Sequence, residues 1–254
     1  MKHIHLFTLA ALLAAPLGAS AQTVIHAPIE AFADTFVDQA SPTNSNGNAT
    51  NIDVRGTNGS NANRYIYLQF NLSAITGPIT AAELTLTGQA TNTKRTTSTI
   101  SLFGLAYATM QEALTLGSDD SGLEDATFTN ETAPWPAVKI SDFSAPANAT
   151  GVLSTAAVPD SDSFAAGTPV IFESTSALVS FLESARTGSG GIVTFVIIEL
   201  GQQSNPVKFA AQDHAARPAP ALTITTTPIP EPTTTAALAA LAALCAILVI
   251  RRRR

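Results

Sequence analysis

The side chains in this sequence best suited to hold a ligand are a few cations and aromatic rings. Arg55, Arg64, Lys94 and Arg95 are four of the eight Lys and Arg residues between positions 22 and 229, and Lys94-Arg95 is the only basic pair there. Tyr65 and Tyr67 share one face of an alternating segment that begins at Arg64, and Trp135 stands between Pro134 and Pro136. Planar guanidinium forks match carboxylates, and aromatic faces receive the C–H groups of sugars. Gathered in one groove, these seven residues would hold a glycan, an acidic one if the cations cluster. Tyrosines on an outward strand face also stabilise sheets through cross-strand pairs, so that alternative stays open.

Carboxylates form a second set: Asp119-Asp120, Glu124-Asp125, Asp160 and Asp162. A glycosidase needs two carboxylates at a fixed separation, which sequence does not give. A solvated acidic loop is the simplest reading. A structural Ca2+ on Asp119, Asp120, Glu124 and Asp125 is the second, because this ion takes six to eight oxygens from loops. The spacing is not that of an EF-hand. His214 follows Asp213, but no Gly-x-Ser-x-Gly accompanies the pair. No catalytic residue is assigned, and the expectation is a protein that is not an enzyme.

Composition narrows the classes further. The 254 residues are 45% hydrophobic and 13% charged, with a formal charge of −6 and one cysteine. The apolar content excludes a disordered polyelectrolyte, and the acidic balance excludes a nucleic-acid partner. A single cysteine closes no internal disulfide.

The ends carry targeting patterns. Lys2, the apolar stretch from Ile4 to Leu17 and Ala19-Ser20-Ala21 before Gln22 read as a signal peptide over 1–21, cut by signal peptidase between Ala21 and Gln22. Pro230-Glu231-Pro232 precedes an apolar run over 236–250 and the basic tail Arg251 to Arg254. At 1.5 Å per residue the run spans roughly 22 Å, enough with its flanks for a thin bilayer. This tripartite tail, over 230–254, resembles the PEP-CTERM sorting signal of Gram-negative bacteria. The resemblance implies an exosortase-type membrane protease as partner, a membrane helix before processing, and delivery to the cell surface or extracellular matrix. Residues 22–229 then form the body, with eight Lys and Arg against 18 Asp and Glu, a net of about −10.

The body reads as one all-β domain. Strand patterns occur at 34–37, 52–55, 65–72, 82–87, 99–105, 192–200, 207–211 and 221–226, separated by Asn-, Gly- and Ser-rich turns. Ile66, Leu68, Phe70 and Leu72 face the core, with Tyr65 and Tyr67 outward. The unbroken apolar run 192–200 predicts a strand covered on both sides. One helix is expected over 176–185, capped by Ser174 or Thr175 and stopped by Gly188. The stretch 117–169 reads as long loops. The expected fold is therefore a jelly-roll-like antiparallel β-sandwich with one short helix, an N-terminal signal helix and a C-terminal transmembrane helix.

The order of segments is similar to that of DNRLRE-domain proteins, also classed as carbohydrate-binding module family 96. Asp34-Thr35-Phe36-Val37, Ser41-Pro42-Thr43-Asn44, Ile52-Asp53-Val54, and Arg64 with Tyr67-Leu68-Gln69-Phe70-Asn71-Leu72-Ser73 fit its opening motifs. Ala82-Glu83-Leu84-Thr85-Leu86 fits the next strand, and Val193 to Leu200, Phe209 to Asp213 and Pro220 to Thr223 resemble its closing strands. Leu123-Glu124 and Thr127-Phe128-Thr129-Asn130 stand where the family has Trp-x-Glu and Thr-Trp-x-Asn, so both tryptophans are replaced. The resemblance implies a jelly roll and a polysaccharide ligand, acidic polymers such as alginate among them. The reading is an exported, non-catalytic module for an extracellular polysaccharide. A matrix or adhesion protein without a glycan site is the alternative, and a polysaccharide hydrolase or lyase is a more distant one.

Overall fold

Twelve strands and one helix build two antiparallel sheets in the computed structural model, which describes residues 23–59, 61–89, 95–105, 123, 128–188 and 190–228. The strands are β1 (Val24–Ile25), β2 (Ile29–Glu30), β3 (Ala33–Asp38), β4 (Asn51–Val54), β5 (Arg64–Asn71), β6 (Ile79–Gln89), β7 (Ser98–Leu105), β8 (Ser154–Val158), β9 (Pro169–Phe172), β10 (Ile192–Glu199), β11 (Val207–Ala210) and β12 (Ala221–Thr226); helix α1 is Ser176–Gly188. Residues Val24–Thr227 make one compact unit.

The five-stranded sheet runs β3-β5-β10-β7-β8. Its centre is the apolar run anticipated as a covered strand: Phe195 of β10 pairs with Leu68 on one side and Gly104 on the other. In the seven-stranded sheet, β12 and β11 follow one another along one side of β6, and β9 takes the other side. Strand β4 lies beyond β11, while β1 and β2 pair with β12. Leu84 and Leu86 of β6 face inward while Thr85 and Glu83 stay partly exposed, the period-two alternation of a half-buried strand. The inward faces of both sheets enclose one core, which includes Ile52, Val54, Ile66, Leu68, Phe70, Phe195 and Phe209. Helix α1 starts where Thr175 Oγ1 accepts the Leu178 N–H at 3.0 Å, and it adds Leu178, Leu182 and Ala185 to that core.

The fold is all-β and jelly-roll-like, with one short helix. Among the described residues no helix is long and apolar enough to cross a membrane. That finding corrects the expected fold class, its C-terminal transmembrane helix, the membrane as a partner, and an anchored location at the cell surface. The stretches 1–21 and 236–250 themselves lie outside the described residues.

A second correction concerns the outer face of the five-stranded sheet. Tyr65 and Tyr67 were expected to point to solvent, yet they are only 2% and 0% exposed. A second apolar cluster covers them, made of Ala33, Val37, Phe103, Leu105, Val196 and Ile198 from the sheet and Leu123, Phe128, Ala133, Trp135 and Ala137 from the segment that crosses it. The Tyr67 hydroxyl donates to the Trp135 carbonyl at 2.7 Å and accepts the Trp135 N–H at 3.0 Å. Tyr65 and Phe103 meet Trp135 edge-on with ring centroids 6.4 and 5.1 Å apart, and Phe143 stacks on it with centroids 5.7 Å apart. Asn130 closes the cover by accepting the Ala137 N–H at 2.6 Å. The stretch read as loops thus contains β8 and a folded cover fastened by polar ties.

Where the sheets meet, β4 of one and β5 of the other are joined by a double bridge: the Arg55 N–H donates to Arg64 O at 3.1 Å, and the Arg64 N–H to Arg55 O at 3.0 Å. Next in the chain, Gly56 approaches the β10–β11 connection so closely that a Cβ there would lie 1.9 Å from the Glu199 carbonyl oxygen. Only a residue without a side chain fits.

Two outcomes test this architecture. Gly56→Ala must push the connection off the bridge, and is expected to cost at least about 2 kcal/mol, a fall in Tm of roughly 4–8 °C in a thermal melt. Burial lifts the Tyr65 hydroxyl to about 12 and that of Tyr67 well above its ordinary value. Of the three tyrosines, Tyr65 and Tyr67 are therefore expected to stay protonated through pH 10 in an ultraviolet titration of the native protein. The unfolded chain ionises there and the folded one does not, so stability is present below about pH 10 and falls as pH rises toward 12.

Candidate functional site

With one sheet face covered, three of the candidate and neighbouring cations, Arg55, Arg64 and Lys208, stand together at the β4–β5 corner. Arg64 opens β5. Its Nε and Nη2 donate to Asp38 Oδ2 at 3.0 and 2.9 Å, and its Nη1 donates to Asp53 Oδ2 at 2.6 Å. The guanidinium lies 5.5 Å from the centre of the Phe36 ring, in cation–π range. A quarter of the Arg64 side chain remains exposed. Asp38 ends β3 and is itself fixed, since its Oδ1 accepts the Ala40 N–H at 2.9 Å.

Asp53 faces away from the core because Ile52 and Val54 on either side of it point inward. Register pairs it with Lys208 of β11, whose Nζ stands 4.0 Å from the same Oδ2, and Lys208 pairs in turn with Gln89. Burial raises the Asp53 pKa despite the opposing pull of Lys208 and Arg64. The Lys208 side chain is 43% exposed. Arg55 completes the corner, with its Nε donating to the Gln203 carbonyl at 3.3 Å. Burial and the neighbouring Arg64 lower its pKa. Beside them Asn63, fully buried, accepts the Thr57 N–H at 2.6 Å and donates to Gln39 at 2.7 Å, which pins the loop leading into Arg64. Three cations thus face two carboxylates, a local surplus of one positive charge in an acidic body.

The other expected site residues fall elsewhere. Arg95 is not a surface cation: its guanidinium is buried against the Glu199 carboxylate and also donates to Asn205 O at 3.0 Å and to Ser98. Burial raises the Glu199 pKa, with Arg95 pulling the other way. Two buried charges that satisfy one another fix the β10–β11 connection against the start of β7. Gln203, in that connection, adds its backbone bond to Arg55 and a side-chain contact to Thr96. Tyr65, Tyr67 and Trp135 lie under the cover, with no ring face left for a sugar. The structure therefore brings Arg55 and Arg64 together and sends Arg95 and the rings to structural work.

Lys94 and the carboxylates Asp119, Asp120, Glu124 and Asp125 lie outside the described residues, as do Ala21, Gln22 and Pro230, Glu231, Pro232. Among the described residues no three His, Cys, Asp or Glu side chains converge as a metal site. Asp160 closes a turn by accepting the Ser163 N–H at 2.9 Å, and His214 Nδ1 accepts the Ala216 N–H at 3.2 Å. Lys208, Asp38 and Asp53 were not anticipated as site residues. The available signal for Asp53 is its place in the Ile52-Asp53-Val54 strand, directly before Arg55 and one strand ahead of Arg64; nothing local marks Lys208.

Residues 26–163, more than half of the chain, match carbohydrate-binding module family 96. No curated protein matches the chain. The matched stretch holds Asp38, Asp53, Arg55 and Arg64 but ends between β8 and β9, while β10, β11 and β12 all pair with strands inside it. It reaches neither terminal pattern, and with no membrane-spanning helix among the described residues the expected PEP-CTERM signal, exosortase and signal peptidase partners and delivery to an extracellular matrix are set aside. The chain belongs to carbohydrate-binding module family 96, and its matched region is a non-catalytic carbohydrate-binding domain.

Proposed function

We propose that the domain binds an acidic polysaccharide at the β4–β5 corner, with Arg64 and Lys208 meeting sugar carboxylates and Arg55 supporting Arg64. The observation that carries this is the convergence of three cations at one partly open place, in a body of net charge about −10. Asp38 and Asp53 take three of the five N–H groups of Arg64, which leaves two for a ligand. A guanidinium fork of this kind, fixed by Asp38 and by the ring of Phe36, loses little freedom on binding. Family membership supports a carbohydrate as the ligand. The charge surplus supports a uronate over a neutral sugar.

The test is a titration of the full chain against alginate, pectate and a neutral glucan, at two salt concentrations, with calcium and with a chelator. Binding to the uronates that weakens with salt is the expected result, with Arg64→Ala and Lys208→Ala each about tenfold weaker or more. A calcium-dependent signal would bring Asp119, Asp120, Glu124 and Asp125 into the site. Equal binding to neutral glucan, or variants indistinguishable from the parent protein, would overturn the assignment.

A further inference from the structure

The corner that offers cations to a glycan also carries carboxylates of its own, and the two do different work. Asp38 is a positioning group. It holds Arg64 through two N–H donors, its other oxygen is tied to the Ala40 backbone, and the Phe36 ring supports the same guanidinium. With Arg64 so fixed, Asp53 is not needed to orient it. Instead a single oxygen of Asp53 faces both Arg64 Nη1 and Lys208 Nζ, the two partly exposed cations of the corner.

We propose that Asp53 is an internal competitor for the anionic groups of the ligand, occupying Arg64 and Lys208 in the free protein and so setting how much negative charge a glycan must bring in order to bind. The inference rests on the reading of the corner as an acidic-glycan site and adds its specificity determinant. A weakly charged polymer cannot replace Asp53 on both cations, whereas a run of uronates supplies several carboxylates at once. Asp53 is 4% exposed, so a ligand that takes both cations leaves its carboxylate buried and uncompensated; that cost sets the charge a glycan must bring, and protonation of Asp53, whose charged form burial already disfavours, relieves it. The charged groups facing it are Arg64 from β5, Lys208 from β11 and Asp38 from β3, with Arg55 next to Arg64. Arg and Lys do not titrate in the acid range. Lowering pH toward the raised pKa of Asp53 therefore frees the cations while they stay charged.

The experiment compares the full chain with Asp53→Asn and Asp38→Asn, titrating alginate oligomers and a neutral glucan. Asp53→Asn keeps the side-chain size and is expected to bind alginate about three- to tenfold more tightly, with the neutral glucan unchanged. Asp38→Asn is expected to bind alginate more weakly. An Asp53→Asn protein that binds no better than the parent, when the parent binds, overturns the proposal and makes Asp53 a second positioning group. Binding by neither protein removes the acidic-glycan reading itself, and this inference with it; binding by Asp53→Asn alone supports the competitor role. Should the variant not fold, the parent decides. Its affinity for a sulfated polymer, which stays ionised, should rise as pH falls toward the Asp53 pKa, and a flat profile overturns the proposal. Where the variant folds, that rise should be missing from it.

Discussion

The five-stranded sheet is buried on both faces, and most of what the rest of the molecule does follows from that constraint. One face belongs to the core between the sheets, and the other is sealed by the segment that carries Phe128 and Trp135. A sheet in that position has no broad surface to offer a polymer. The corner proposed as the binding site lies at its margin, where β5 emerges beside β4. Inside the cover the Tyr67 hydroxyl, deprived of solvent, is satisfied by both backbone groups of Trp135, whereas the indole N–H of that residue is buried without a partner among the described residues.

The strand pattern was legible because alternation is a local property. β5, β6, β10 and β12 could be read from the spacing of Leu, Ile and Phe alone, and the helix from its cap and stop. What covers a face is not local. Tyr65, Tyr67 and Gln69 alternate with aliphatic residues in the way of a solvated strand edge, yet Gln69 is buried and donates to Thr194 at 3.1 Å. Tyrosine and glutamine fit either setting, since each has an apolar body or a group that a neighbour can satisfy. The covering segment betrays itself little, because its apolar residues are scattered among prolines and turn formers without a period.

Charges were misread for a related reason. Arg95 looked like a surface residue beside Lys94, but its partner Glu199 ends the most apolar strand of the chain, a place where an acid stays only if something neutralises it. Lys208 had no such marker: only the register of β11 against β4 sets it beside Asp53, and register across a long loop is fixed by the assembled sheet rather than by either segment.

The position of β10 has a consequence for how the protein is made. This strand lies in the middle of its sheet, between β5 and β7, yet it comes from the last quarter of the chain. During synthesis the earlier strands emerge with their central partner still missing, and their apolar inner faces and unpaired edges have to wait for it. Folding dominated by such distant pairings is slow, and the waiting chain is open to association with its neighbours. Nascent β5 and β7, with Phe70, Leu102 and Phe103 uncovered, are the surfaces a chaperone would meet first.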